Sequence, residues 1–319
     1  MADPREYDVV IIGGGPAGLA AGLYSARGRR STLLIEKGVI GGQIALTELV
    51  ENYPGTPTIN GFDLAQNMLK QAESYGMETE FTEVSGVNQA GRQWQVTTAE
   101  GEILAKAVIL TAGAEYNKLG IPGEERLTGK GVSYCATCDA AFFKEMDVAV
   151  VGGGDAALDE GLFTSRYVSK VYLVHRRDEL RASRILQERA LANPKFEFIW
   201  NTVVEEVIGD TQVTGARLRN VLTGETRELP LSAVFIFIGQ HPNSDFLGGL
   251  LAKDAGGHIL VDDWMATRLP GLFAAGDVRQ NSARQVASSV GDGVTAAISA
   301  EHYIAAQFSE EPAPKAVKA

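Results

Sequence analysis

Cysteine is nearly absent from this chain: Cys135 and Cys138 are the only two among 319 residues. Histidine is scarce as well, and His175, His241, His258 and His302 lie far from one another and from the cysteines. A structural zinc site needs about four ligands, so this inventory speaks against zinc. Positive charge is in deficit. Lys and Arg number 29 against 40 Asp and Glu, a net charge of −11, which argues against nucleic acid or an anionic membrane surface as the main partner. No apolar run approaches the ~20 residues that span a bilayer. The polar stretch Met1–Tyr7 lacks the pattern of a secretory signal. A cytoplasmic protein is expected, and in that reducing compartment a disulfide is usually transient and catalytic.

What is present is an ordinary soluble composition, 45% hydrophobic and 22% charged, at a length that suggests about two domains. The pair Cys135-Ala-Thr-Cys138 has C-x-x-C spacing, and Asp139 follows the second sulfur directly. Two thiols so placed can close a small disulfide and store two electrons. A carboxyl group beside them stands where a thiol gains or loses a proton. A purely structural staple over so short a loop would constrain the unfolded chain little.

Asp8–Ile12 is an apolar, β-branched run that suits a buried parallel strand, and Gly13-Gly-Gly15-Pro16-Ala17-Gly18 follows at once. Leu19–Arg27 has helical spacing. This is G-x-G-x-x-G in a strand–turn–helix setting, where Gly13 permits the turn, Gly15 lets the backbone approach a pyrophosphate, and Gly18 lets helix and strand pack closely. The next strand, Ser31–Glu36, ends in an acid about 20 residues after the first glycine, positioned for a ribose diol. A helix is expected over Phe62–Gly76, short strands from Met77 to Leu110, and a buried strand at Ala107–Gly113.

The theme then recurs. Asp147–Val151 is the strand, Gly152-Gly-Gly154-Asp155-Ala156-Ala157 the turn, Leu158–Tyr167 the helix, and Lys170–Val174 the next strand. That strand ends in His175-Arg176-Arg177, with Arg181 close behind, so the position that is acidic in the first copy is basic in the second. Guanidinium groups bind a 2′-phosphate through bidentate, charge-assisted hydrogen bonds, which favours NADPH over NADH at the second site. Strands are expected at Phe196–Trp200, Val203–Ile208, Ala216–Val221, Thr226–Leu229 and Ala233–Gly239. A short strand at Gly271–Asp277 and a closing helix over Arg284–Tyr303 complete the chain, with a polar tail expected to be disordered from Ser309.

These motifs, together with Gly41-Gly42-Gln43, Glu51-Asn52-Tyr-Pro-Gly55, Gly276-Asp277 and Arg284-Gln285-Val286, resemble those of the low-molecular-weight, bacterial-type thioredoxin reductases from Tyr7 to about Tyr303. The Cys135-Ala-Thr-Cys138-Asp139 segment ahead of the second glycine motif is the most specific of them. The resemblance implies an α/β protein with two Rossmann-like domains of the three-layer ββα type. An FAD domain (1–117 and 245–319) would be interrupted by an NADPH domain (118–244) that carries the cysteines. It also implies FAD contacts from Gly13, Gly15, Pro16, Ala17, Gly18, Glu36, Lys37, Gly42, Gln43, Asn52, Gly113, Gly276, Asp277, Arg284, Gln285 and Val286. NADPH would be held by Gly152, Gly154, Asp155, Ala156, His175, Arg176, Arg177 and Arg181. Cys135, Cys138 and Asp139 would be catalytic, with Cys138 nearer the flavin, in a homodimer whose inserted domain rotates.

The family's partner is thioredoxin or a thioredoxin-like protein. Ala140, Ala156 and Asp159 stand where the family more often has Gly, Ser and Glu. The alternatives are a related flavoprotein fed by ferredoxin, a dithiol oxidase that passes electrons to oxygen, and a non-catalytic FAD redox sensor.

Overall fold

The computed structural model describes residues 4–47 and 50–308; the tail expected to be disordered lies outside them. Two compact units divide the chain, one from residues up to Glu115 and from Pro242 onward, the other from Tyr116–His241. The sequence borders were expected at 117 and 244.

In the first unit, β1 (Arg5–Ile12) runs into α1 (Pro16–Arg27), followed by β2 (Thr32–Glu36), α2 (Gly61–Glu73), β3 (Glu78–Phe81), β4 (Val84–Ala90), β5 (Gln93–Thr98) and β6 (Gly101–Leu110). Strand order is β3-β2-β1-β6-β5-β4, with β1, β2 and β3 parallel and β4, β5 and β6 an antiparallel meander. The chain crosses into the second unit along β7 (Ala114–Tyr116). There it forms β8 (Val132–Ser133), the short helix α3 (Ala136–Asp139), β9 (Asp147–Val151), α4 (Asp155–Thr164), β10 (Lys170–Val174), α5 (Arg184–Leu191) and β11 (Phe196–Ile199). A second meander of β12 (Thr202–Ile208), β13 (Gly215–Asn220) and β14 (Thr226–Pro230) precedes β15 (Ala233–Ile236). The parallel sheet of this unit has the order β11-β10-β9-β15-β8. The chain returns along β16 (Gln240–Pro242) to β17 (Leu272–Ala274) and the long α6 (Val286–Phe308).

The central parallel strands β1, β2, β9, β10 and β15 are covered on both faces, which is why they read as apolar runs. Alternate residues of β1 separate cleanly. Val9 and Ile11 join Leu19 and Ala21 of α1 and Ala297 and Ala300 of α6 on one face. Val10 and Ile12 join Val87, Trp94 and Val96 of the meander on the other. The second unit repeats this: Val148 and Val150 face α3, α4 and α5, while Ala149 and Val151 face β12, β13 and β14. Both units are therefore three-layer ββα structures.

Differences from expectation have local causes. The helix expected at Leu158–Tyr167 begins at Asp155 and ends at Thr164, and just past its end Lys195 Nζ donates to the carbonyls of Ser165 and Val168 at 2.8 and 2.7 Å. The closing helix cannot begin at Arg284, whose φ is +56°. It runs on to Phe308, whose ring lies under the Arg92 guanidinium at 5.0 Å. The helix α5 was not anticipated.

An asparagine fastens the two crossings on each side. In the second unit, Asn117 N donates to Gly239 O at 3.0 Å, and Asn117 Nδ2 donates to Ile238 O at 3.3 Å. In the first unit, Asn243 N donates to Gly113 O at 3.0 Å and Asn243 Nδ2 to Ala112 O at 2.9 Å.

Phe235 is fully buried against Phe143 and Phe237. Phe235→Ala should cost about 3–5 kcal/mol of local stability. Hydrogen exchange should quicken in β9, β10 and β15 while β1, β2 and β6 keep their protection.

Candidate active site

The first glycine turn is built as its sequence requires. Gly13 has φ +112°, and a Cβ there would stand 2.4 Å from Thr111 O. Above Gly15 there is no atom within 4 Å of a notional Cβ, so the space over the start of α1 is open at that point. Glu36 braces this turn, accepting Gly14 N–H through Oε2 at 2.6 Å and Gly38 N–H through Oε1 at 2.7 Å. A cavity of about 220 Å³ lies alongside, lined by Gly13, Glu36, Lys37, Thr82, Ala112 and Asp245. A larger hollow of about 390 Å³ near Trp264 and Tyr303 contains none of the residues singled out above.

Gln43 sits in a 3₁₀ turn that starts at Gly42, and its Nε2 donates to Ala114 O, next to Gly113. Asn52 Nδ2 donates to Gln285 Oε1 at 3.1 Å, joining two loops that are distant in sequence. Asp277 follows Gly276 in a 3₁₀ turn and accepts Ser282 Oγ–H at 2.6 Å. Burial raises the Asp277 carboxyl above the usual range, and the Ser282 hydrogen bond opposes that rise. Arg284 is exposed and holds a left-handed backbone just ahead of α6, where Val286 is the first helical residue.

Sequence reasoning missed two supports here. Thr111 Oγ1 lies 2.8 Å from Gly13 O and 3.1 Å from Ile12 O. Asp292 takes a bidentate ion pair from Arg279 at 2.7 and 2.8 Å and also accepts Gly276 N–H at 3.1 Å. Thr111 could have been noticed from its place in the run Leu110-Thr-Ala-Gly113. Nothing in the spacing marks Arg279 and Asp292 as partners.

In the second unit, the turn at Gly152 repeats the first. Gly152 has φ +149°, and the space over Gly154 is open to 4 Å. Ala156 is exposed at the start of α4, beside Asp155. Asp155 Oδ1 accepts Ser183 N–H at 2.6 Å. Arg176, Arg177 and Arg181 are exposed, but His175 is buried at 5% exposure and does not share their access to solvent.

Cys135 and Cys138 are joined in a disulfide, Cys138 being the more exposed residue. Their segment is anchored by Ala136 and Ala140, both 0% exposed, in the same hydrophobic cluster as Ala157 and Leu158 of α4. Ala140 is thus a packing residue with its methyl group fully used. Ser133 is a further unforeseen member: its Oγ–H donates to Asp139 Oδ2 at 2.6 Å, and its Oγ accepts Cys135 N–H at 3.1 Å. Ahead of the cysteines, Tyr134 stacks on Tyr116 at 5.2 Å and donates to Glu124 at 2.7 Å. Glu124 also accepts the N–H groups of Leu119 and Gly120.

Two glycine turns of one geometry, one disulfide and an adjoining carboxyl group make a recognisable set. Residues 7–293 match the family described as pyridine nucleotide-disulphide oxidoreductase. The chain belongs to that family. Within the pyridine nucleotide-disulphide oxidoreductases, a thioredoxin reductase of Listeria monocytogenes is 47% identical over 305 residues, 95% of each chain. A thioredoxin reductase structure from Streptococcus pyogenes matches at 44% identity and TM-score 0.91, covering 95% of this chain and 100% of that one. A Lactococcus lactis thioredoxin reductase, in what is described as its FR conformation, matches at 44% identity and TM-score 0.65, over 94% and 99%. Among the described residues no helix is long and apolar enough to cross a membrane, and no group of three His, Cys, Asp or Glu could hold a metal.

The Asp139 carboxyl is raised above the usual range, chiefly by burial, with the Ser133 hydrogen bond opposing it. Such a group costs stability while ionised. The cost is full above the raised folded-state value and gone below the ordinary one. Asp139→Asn should therefore melt at or above the parent temperature near neutral pH, and the gap should close as the pH falls into the carboxylate range. A variant that melts lower at neutral pH would contradict this electrostatic account.

Proposed function

We propose that this chain is a thioredoxin reductase that takes electrons from NADPH and delivers them, by way of FAD and the Cys135–Cys138 disulfide, to a thioredoxin or thioredoxin-like protein. The observation that carries this reading is the shared core under α3 and α4, which makes the redox pair and the second glycine turn parts of one body. The open backbone over Gly15 and the cavity between Gly13 and Glu36 fit the pyrophosphate and adenosine ends of FAD. The open backbone over Gly154 and the exposed Arg176, Arg177 and Arg181 fit NADPH. Bound FAD would supply two-electron transfer between the nicotinamide and the disulfide.

The chain's own residues do the rest. NADPH and one proton yield NADP⁺ and a dithiol, so the opened Cys135–Cys138 pair carries both electrons. Cys135 as thiolate attacks the partner's disulfide, forming a mixed disulfide, and Cys138 then displaces the partner as a dithiol. Asp139, oriented by Ser133, moves the protons that these thiols gain and lose. A body that bears both the nicotinamide and the disulfide has to turn to bring each to one flavin. Relatives at equal identity that differ widely in whole-chain similarity support such a motion. The same reading has the enzyme act as a homodimer in the cytoplasm.

Purified protein should show flavin absorbance that NADPH bleaches and oxidised thioredoxin restores. A colourless preparation that binds no added FAD, or one whose bleached flavin thioredoxin cannot restore, would reject the function. Cys138→Ser should trap a covalent complex with thioredoxin through Cys135; trapping that needs Cys138 instead would reverse the roles. Arg176→Ala with Arg177→Ala should raise the NADPH KM by about tenfold or more with NADH use nearly unchanged. An equal effect on both nucleotides would remove the 2′-phosphate argument.

A further inference from the structure

Phosphate recognition needs a group that can reach the phosphate, and the imidazole of His175 is the one basic side chain of its cluster that is buried. Its Nε2 lies 3.1 Å from Glu179 O. A carbonyl oxygen only accepts, so Nε2 carries the ring's proton and donates. The ring also closes on the middle glycine of the turn: a Cβ built on Gly153 would stand 2.3 to 2.6 Å from three of its atoms.

The chain just beyond is tied to the same turn. Arg181 N and Ala182 N both donate to Gly153 O, at 2.7 and 3.2 Å, and Ser183 N donates to Asp155 Oδ1 at 2.6 Å. Residues 181–183 are thus fastened to the glycine turn at two acceptors, Gly153 O and Asp155 Oδ1, while the ring holds Glu179 O just ahead of them.

We propose that His175 is a positioning residue that never touches the 2′-phosphate and instead holds the Arg181 segment against the glycine turn, so that NADPH is preferred over NADH. The proposal rests on the NADPH assignment made above. The first unit supplies its parallel. Val174 pairs with Val151 as Ile35 pairs with Ile12, so His175 and Glu36 hold the same register position. Each braces its turn, Glu36 through Gly14 N–H and His175 through contact with Gly153. A carboxylate at position 175 would repel a 2′-phosphate and draw the arginines onto itself. A neutral imidazole fills the space without competing for them. Burial favours that neutral form first; the hydrogen bond to Glu179 O opposes it, and the charges of Arg181, Arg176 and Arg177 add to the effect of burial.

The test is calorimetric titration of the FAD-loaded protein with NADP⁺ and with NAD⁺. His175→Phe keeps the ring volume and loses the donor. It should weaken NADP⁺ binding by about tenfold and leave NAD⁺ within about twofold. His175→Gln, whose amide N–H can reach Glu179 O, should recover most of the loss. In an Arg181→Ala background, His175→Phe should add little, because its effect runs through Arg181.

Equal losses in the Phe and Gln variants would mean direct phosphate contact and overturn the proposal. So would losses that multiply in the double variant, NAD⁺ binding that falls in step with NADP⁺, or no loss at all. An unmutated protein that binds both nucleotides equally would overturn the NADPH assignment itself, and that result is read before any variant is made.

Discussion

Ala136 and Ala140 are packed, with no exposed surface, into the cluster that holds Ala157 and Leu158, and the function depends on that packing. Interiors this dense do not allow one element to slide over another at low cost. The disulfide and the second glycine turn are therefore parts of one body. On the proposed function this is a constraint as well as a convenience, since neither group can visit a flavin without carrying the other along.

The two units solve one problem twice with different chemistry at a single position. Both leave the backbone bare at the third residue of the glycine turn, and both brace the second residue from the end of the neighbouring strand. In the first unit, a carboxylate does this by accepting a backbone N–H. In the second, an uncharged ring does it and leaves the field to guanidinium groups. On the proposed function, the selectivity of each turn would follow from what braces it, because the backbone geometry is nearly common to both.

Strands, glycine turns and the first helix were legible in the sequence because doubly buried parallel strands leave long apolar runs and the turns demand glycine. The cysteine pair was legible because nothing else in the chain could partner it. Other features depend on contacts distant in sequence. Arg284 reads as a helical residue until its backbone is seen to be left-handed. His175 reads as a cation because motif position records the residue type and not its burial. Ser133 and Asp292 carry no spacing signal, since each acts through a single hydroxyl or carboxylate whose partners the fold brings to it. The helix α5 is only eight residues long, with a single fully buried residue, Ala190, so tertiary support, more than its own periodicity, makes it helical.

The paired asparagines at the crossings bear on how such a chain can be cut and rejoined. Asn117 and Gly239 are hydrogen-bonded neighbours, and so are Gly113 and Asn243. The inserted body thus begins and ends at one spot, and its host is left with two ends close enough for a short glycine bridge. Each body keeps its own sheet, its own layers and its own core. A gene encoding such a chain could gain, lose or exchange the insert in one recombination event without unravelling either part.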